Sequence, residues 1–253
     1  MWITTLPVAA ALVLSNSDFV HSIRHRLGLP YAPTNLPGVD CPCGQHIPRG
    51  DPDHPMSCKT SAGERNVRHN QVANTVRRIC HRAGIATSSE PPLRHLRRNT
   101  APHQRDRDGD RGDILIILPR ATVTDIAVVH PAAPSHRAVA AVTPGATARA
   151  KDTDKIRHYR RNDNNAYDFI PFTVESFGRL SPKAMELLNT LATAAAGASD
   201  VEKGDFVTNA LREISVALCR GNARVYRHGE AAFARVSGVA IVPGASCPTA
   251  EVH

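Results

Sequence analysis

Apolar residues recur at Val72, Val76, Ile79 and Ala83 along an otherwise polar stretch. That spacing predicts a helix over about 66–83, with Gly84 as its stop. Arg65, Arg68, His69, Arg77, Arg78 and Arg82 fall mostly outside the stripe. Residues 85–93 read as an extended strand, confined to a sheet edge by Pro91 and Pro92. The stretch 94–111 is rich in Arg and Asp and reads as a loop. Two short β-branched and Leu-rich runs follow, 113–118 and 123–130, joined by a turn at Pro119-Arg120-Ala121-Thr122. They predict two adjacent strands. After a Pro-rich loop come a helix over about 146–161, an apolar and aromatic strand over 166–177, and a helix from Pro182 to about Ala196. The buried positions expected in that last helix are Met185, Leu187, Leu188 and Leu191. A further amphipathic helix is expected over 205–218, with Phe206, Ala210, Leu211, Ile214 and Leu218 inward. Residues 1–30 read as short helical or extended pieces, 31–62 as irregular, and the tail after Ala231 as weakly specified. Over 66–177 the order is helix, three strands, helix, strand, which predicts an α/β core with a mixed sheet.

Composition narrows the class. The chain has 253 residues, 42% hydrophobic but only 4% aromatic, so its core must come from Ala, Val, Ile and Leu. A net charge of +8 and a pI near 9.5 favour a polyanionic partner. The excess is concentrated: Lys59 to Arg111 holds 12 Lys or Arg against 5 Asp or Glu. DNA is the expected partner and RNA a second candidate. Residues 1–15 are apolar but lack a basic start and a small-residue cleavage site, so they are not read as a secretory signal. No run of 18 apolar residues occurs, so no membrane-spanning helix is expected.

Three of the six cysteines fall within 18 residues of one another. A secreted disulfide framework would be denser, so we expect a reducing, nuclear or intracellular setting and one metal cluster. Cys41, Cys43, His54 and Cys58 form C-x-C-x10-H-x3-C, three thiolates and an imidazole, a ligand set suited to structural Zn²⁺. Gly44 suits a tight turn there, and the segment holds too few large apolar residues to fold without a staple. His46 competes with His54 for the fourth place.

Asp113 and Asp125 lie in the two apolar runs. A carboxylate in such surroundings is costly unless something positive holds it. Two on neighbouring strands suggest a shared cation, and Mg²⁺ accepts one or two protein carboxylates with water and phosphate. The plainer reading has each aspartate capping a turn. Lys151, Lys155 and Tyr159 are spaced four apart on the next helix and supply a positive face, or simply a solvated stripe. Glu175, in the apolar segment 170–178, is either a further ligand or a partner of Arg179.

In this order the motifs resemble the restriction-enzyme-like endonuclease at the C-terminal end of site-specific non-LTR retrotransposon proteins, a branch of the PD-(D/E)XK nucleases. The resemblance runs through Trp2, Leu6-Pro7 and Phe19 to Arg26-Leu27-Gly28-Leu29-Pro30, then the Cys/His knuckle. Arg68-His69-Asn70 matches the family's basic-His-Asn/Asp motif. Glu90-Pro91, Arg111-Gly112-Asp113 and Asp125 follow, and Lys155-Ile156-Arg157-His158-Tyr159 fits its K-x3-Y. The resemblance implies a restriction-endonuclease-like mixed sheet flanked by helices, with a small irregular zinc knuckle and a helical C-terminal part. It implies that Asp113 and Asp125 hold a catalytic Mg²⁺ and that Lys155 takes the superfamily lysine's role from the helix. Tyr159 would support that lysine or the phosphate, and Glu175 is added from the residue reading. Arg68, His69, Arg77 and Arg78 would contact nucleic acid.

Two features depart from the family. Gly112 stands where it has Pro, and no polymerase region is present. Ala127 occupies the place where the standard superfamily motif has lysine. The expected divisions are a linker-like segment (1–40), the knuckle (41–62), the endonuclease-like core (63–180) and C-terminal helices with a tail (181–253). The implied activity is nicking of target DNA. The alternative is a zinc-containing nucleic-acid-binding module that has lost catalysis. No Ser/His/Asp hydrolase motif, P-loop or dinucleotide fingerprint is present.

Overall fold

A computed structural model describes residues 10–29, 38–47, 51, 53–93, 111–159 and 167–238. The readings made on 1–9, 30–37 and 94–110, and Cys247, lie outside the described residues. The protein is mixed α/β, with small mixed sheets. It divides into two compact units: residues 68–218 with 10–13, and residues 14–67 with those after 218. This grouping differs from the divisions read in the sequence, because the helix at 182–198 shares one core with the strands.

The elements in chain order are α1 (Asn16–Arg26), β1 (Val39–Asp40), β2 (His46–Ile47), α2 (His54–Ser57), α3 (Ala62–Arg82), β3 (Thr87–Ser89), β4 (Ile114–Ile117), β5 (Ala121–Thr124), β6 (Ile126–Val129), α4 (Arg137–Val142), α5 (Ala146–Tyr159), β7 (Asp168–Phe169), β8 (Phe172–Glu175), α6 (Pro182–Ala198) and α7 (Lys203–Ser237).

In the larger unit, the predicted stripe of α3 is buried at Val72, Val76 and Ile79. Glu64 in its first turn and His81 and Arg82 in its last complement the helix dipole. Gly84, at φ +73°, ends it in the left-handed region. The Gly84 N–H then donates to the His81 carbonyl and the Ile85 N–H to the Cys80 carbonyl, the paired bonds of a Schellman cap. Arg68 is a correction: it lies inside the helix's buried face at 2% exposure, not among the outward polar positions.

β4 and β5 form an antiparallel hairpin, Ile114 opposite Thr124, and β3 flanks β4 as an antiparallel edge. Ile114 and Ile116 face the main core beside α3 and α6. Leu115 and Val123 face the other way, with Leu93, Tyr167 and Phe169. This is the two-residue alternation of a strand, with the face of Ile114 and Ile116 buried and the opposite face half-buried at Leu115 and exposed at Ile117. α6, capped by the Ser181 hydroxyl and started by Pro182, adds Leu187, Leu188 and Leu191 to that core. Met185, expected to be fully buried, is only half-buried.

Two predicted strands are each broken in two. The run 123–130 stops at Asp125 and restarts as β6, and the run 166–177 is split into β7 and β8. β5 pairs in parallel with β7, and β6 in parallel with β8. The register is the same on both sides, Thr122 opposite Asp168 and Ile126 opposite Phe172. Asp125 therefore falls opposite Pro171, whose missing N–H costs this ladder nothing, because Ile170 and Phe172 on either side donate to the Val123 and Asp125 carbonyls, both at 3.1 Å.

Two helices differ from the sequence reading. The loop expected over 131–136 is followed by the short helix α4, which the sequence reading did not assign and none of whose residues is buried. The last helix does not end near 218 but continues through Ala231 to Ser237.

In the smaller unit, β1 and β2 make a two-stranded hairpin whose loop carries Cys41 and Cys43. Cys41, Ile47, Met56 and Cys58 pack with Val225, Tyr226 and Phe233 of α7. Gly229 lets α7 approach, since a Cβ there would overlap Pro55. α1 buries a polar face instead of an apolar one: His21, Ser22 and His25 point inward. His21 Nε2 meets Glu230 at 2.8 Å, Arg227 meets Asp18 at 2.7 Å, and the Tyr226 hydroxyl donates to the Leu29 carbonyl at 2.6 Å.

Candidate functional site

Two constellations carry chemistry, one in each unit. In the smaller unit the β1–β2 hairpin turns at Cys41-Pro42-Cys43-Gly44. The Gly44 N–H donates to the Cys41 carbonyl at 2.8 Å, and Gly44 sits at φ +87°, so this turn needs glycine. The short helix α2 then brings His54 from its first position and Cys58 from its C-cap. Donor atoms of Cys41, Cys43, His54 and Cys58 all lie within 4.8 Å of one another. Cys41 Sγ and Cys58 Sγ are 3.6 Å apart, and Cys43 Sγ and His54 Nε2 are 3.7 Å apart. These separations are too long for a disulfide. They match the edges of a tetrahedron built on Zn–S and Zn–N lengths, about 3.5–3.8 Å. The cluster can hold a metal such as zinc.

The electrostatics suit such a site. Burial pushes the Cys41 thiol up to about 11, with the neighbouring thiols adding to it. Burial also acts to raise Cys58, but the Thr60 hydroxyl and N–H stabilise its thiolate and the net shift is downward. Burial lowers His54, favouring the neutral imidazole that binds metals. The choice between histidines is resolved: His46 Nδ1 pairs with Asp40 at 2.8 Å on the exposed side of the hairpin.

In the larger unit, Asp113 precedes β4 and Asp125 lies at the break between β5 and β6. The Asp113 N–H donates to the Thr124 carbonyl at 3.1 Å, locking the two segments side by side. Asp113 Oδ2 accepts the Ile126 N–H at 2.6 Å and lies 3.0 Å from His69 Nε2. Lys155 Nζ pairs with Asp125 Oδ2, and the Tyr159 hydroxyl reaches the same oxygen at 2.9 Å. That hydroxyl also lies 2.9 Å from the Arg111 carbonyl, and the Tyr159 ring stacks on Phe169 with centroids 4.0 Å apart.

The inward face of α5 runs through Ala148, Asp152, Lys155 and Tyr159, while Lys151 is exposed. This resolves Lys155 over Lys151. His69, Asp113 and Asp125 present ligand atoms all within 4.8 Å of one another. Burial and the adjoining Asp113 carboxylate raise Asp125, with Lys155 opposing them. Burial would raise Asp113 too, but His69 and the Ile126 N–H hold it below the usual carboxylate range. The Asp113 hydrogen bond raises His69 despite burial. The turn-capping reading of Asp113 is not met, since its carboxylate accepts the N–H of Ile126, 13 positions on and across the strand pair, and joins a group of charged side chains.

Two expected site residues stand elsewhere. Glu175 pairs in register with Val129, three residues beyond Ile126, about 10 Å along the strand. Its carboxylate is buried, accepts the Ala148 N–H at the start of α5 at 3.4 Å, and lies 4.0 Å from Arg179. It stabilises a helix N-terminus, and among the described residues it is not part of the Asp113–Asp125 group. Arg68 is buried and offers little surface to a polyanion. Arg78 is exposed and donates to Thr75 Oγ1, and Arg77 is half-buried.

The sequence reading missed the contact of His69 with Asp113, the Phe169 platform and the Arg111 carbonyl. These are long-range relationships that no local spacing encodes. No helix among the described residues is long and apolar enough to cross a membrane. No family model matches the chain, and no curated protein is similar to it.

Proposed function

We propose that the chain is a metal-dependent DNA endonuclease of the restriction-endonuclease-like type, related to the endonuclease region of non-LTR retrotransposon proteins, which nicks DNA by phosphodiester hydrolysis. The observation that carries this reading is the convergence of Asp113, Asp125, Lys155 and Tyr159 at one interruption of a mixed sheet. The element order supports it: α3, the antiparallel β3, β4 and β5, then β6, the helices α4 and α5, and the strands β7 and β8, which pair in parallel with β5 and β6.

Asp113 and Asp125 fit a divalent cation in donor chemistry. Each has one oxygen held by protein donors, on separate chain segments, and the cost of charging both carboxylates, seen in the raised Asp125, would be relieved by a shared cation. Mg²⁺ held there supplies Lewis-acid polarisation of a phosphoryl oxygen and a water of lowered pKa. Lys155 places a positive charge beside the site, where it would stabilise charge developing on the phosphate. Tyr159 fixes the Asp125 carboxylate, and Phe169 fixes Tyr159. The exposed arginines of α3, the net charge of +8 and the knuckle, holding structural Zn²⁺, would position the DNA backbone without reading its bases.

The test is plasmid nicking by the zinc-loaded protein in Mg²⁺ or Mn²⁺, beside Asp113→Ala and Asp125→Ala. Nicking that both substitutions abolish is the expected result. Salt-sensitive DNA binding without nicking would replace the proposal with a non-catalytic zinc-containing nucleic-acid-binding module.

A further inference from the structure

We infer that His69 is a third ligand for the cation of Asp113 and Asp125, and that the site is consequently selective for Mn²⁺ over Mg²⁺. The inference rests on the nuclease reading only for its biological use; the geometry stands on its own. Three different elements converge: His69 from α3, Asp113 from the entry to β4 and Asp125 from the break after β5. The histidine is carried by a helix whose next turns, at Val72 and Val76, are fixed in the core. The backbone that carries the ring is therefore fixed by packing, and hydrogen bonds orient the ring itself.

The hydrogen bonding of the ring points the same way. Nδ1 lies 3.1 Å from Asn70 Oδ1. Donation of an Nδ1 proton to that amide leaves the lone pair on Nε2, directed at the carboxylates. This is the usual arrangement of a metal-bound histidine, whose second ring nitrogen donates to a neighbouring acceptor. Nε2 itself faces only oxygen, Asp113 Oδ2 at 3.0 Å and the Ile126 carbonyl at 3.2 Å. Two ligands at adjacent corners of an octahedron of radius 2.0–2.2 Å lie about 3.0 Å apart, the separation also found for a hydrogen bond. Exchange of an Nε2 proton for a shared cation would keep the separation of His69 Nε2 from Asp113 Oδ2.

The ligand set determines the preference. Carboxylate and water alone suit Mg²⁺. An imidazole adds a softer nitrogen donor, which first-row transition ions accept more readily than Mg²⁺ does. Mn²⁺ keeps the octahedral, oxygen-rich coordination that the two aspartates supply. Its thiolate affinity is low, so the cysteine cluster does not compete once zinc is present.

The experiment is equilibrium binding of Mn²⁺ to the full zinc-loaded chain, followed by the paramagnetic resonance signal of the free ion, with Mg²⁺ measured by competition. We expect one Mn²⁺ bound per chain beyond zinc, roughly tenfold or more tighter than Mg²⁺. His69→Ala should weaken Mn²⁺ roughly tenfold or more while changing Mg²⁺ by less than about threefold. His69→Asp should retain Mg²⁺ and lose the preference. Zinc content and circular dichroism verify folding of both variants. Unchanged Mn²⁺ binding in His69→Ala, or equal weakening of both ions, overturns the assignment, as does a wild-type chain that binds no Mn²⁺. The two readings fail separately. His69-dependent Mn²⁺ binding without nicking removes the nuclease alone, and nicking with His69-insensitive affinity removes this inference alone.

Discussion

Asp125 stands opposite Pro171 in a parallel ladder that keeps an offset of 46 residues on both sides of the gap between them. A parallel ladder draws its donors from every second residue, so the amide that proline lacks here is one that would face away from β5 and β6. The Ile170 N–H just before it donates to the Val123 carbonyl at 3.1 Å. The Asp125 carbonyl likewise accepts the Phe172 N–H at 3.1 Å, while its carboxylate turns toward Lys155 and Tyr159. The hydrogen bonds run past Asp125, and its carboxylate is presented next to Asp113.

Lys155 and Tyr159 both contact Asp125 Oδ2 but should differ in what they contribute. Lys155→Met removes the only charge in that pair that would oppose the phosphate's negative charge. Nicking should fall roughly 10²–10³-fold with zinc content and fold retained. Tyr159→Phe removes a hydrogen bond and should cost about 0.5–1.5 kcal/mol of stability with a smaller loss of nicking. Plasmid relaxation rates and denaturant unfolding of the two variants check this. Equal activities in wild type and Lys155→Met would exclude the lysine from the chemistry.

The knuckle makes a sharper distinction between its two histidines. His54→Ala should lower zinc affinity roughly hundredfold or more and expose the thiols to alkylation. His46→Ala, which breaks only an exposed pair with Asp40, should leave both unchanged. Competition against a zinc-binding dye, with thiol counting, gives the comparison. A zinc loss in His46→Ala equal to that in His54→Ala would mean the wrong nitrogen has been assigned.

Packing fixes the residue at position 112 as glycine. A Cβ at this position would overlap Val123 Cγ1, and the Gly112 N–H faces the Pro91 carbonyl at 3.4 Å. Gly112→Ala should destabilise by about 1–3 kcal/mol through overpacking. Val123→Ala alone should also destabilise by leaving a cavity. Combined, the two should cost less than the sum of the single changes, because the cavity accepts the new methyl. A double-mutant cycle in denaturant measures the coupling; strict additivity would show that the two side chains do not compete for space.

What the sequence made legible and what it did not follow one physical line. The stripe Val72, Val76, Ile79 was readable because a helix that buries one face must repeat apolar residues at that period. Cys41, Cys43, His54 and Cys58 were readable because metal ligation imposes residue types and spacing. α1 was not readable, since it buries His21, Ser22 and His25 against partners about 200 positions away, and no hydrophobic period marks such a face. Glu175 was left between a ligand and a partner of Arg179 because an acid in an apolar strand signals only that a partner exists. Here its partners are Arg179 and the N-terminus of α5. Arg68 was taken as outward because its charge outweighed its position one turn before Val72.

The buried face of α1 also makes stability in its unit depend on pH. Burial acts to lower His21, but the Glu230 hydrogen bond and the Ser17 carbonyl outweigh it and raise the histidine above 6.5. A group whose folded pKa is raised binds its proton more tightly in the folded state. Its stabilisation is complete below the unfolded value near 6.5 and is lost as pH rises through the folded value. The amides of α1, corrected for intrinsic exchange, should therefore be better protected at pH 6 than at pH 8. Glu230→Gln keeps an acceptor for the ring but removes the charge, so the dependence should flatten and the His21 titration should shift down. Proton resonances of His21 and hydrogen exchange across α1 report both effects. Titration of His21 at or below 6.5 in the wild-type chain would show that Glu230 does not hold the proton.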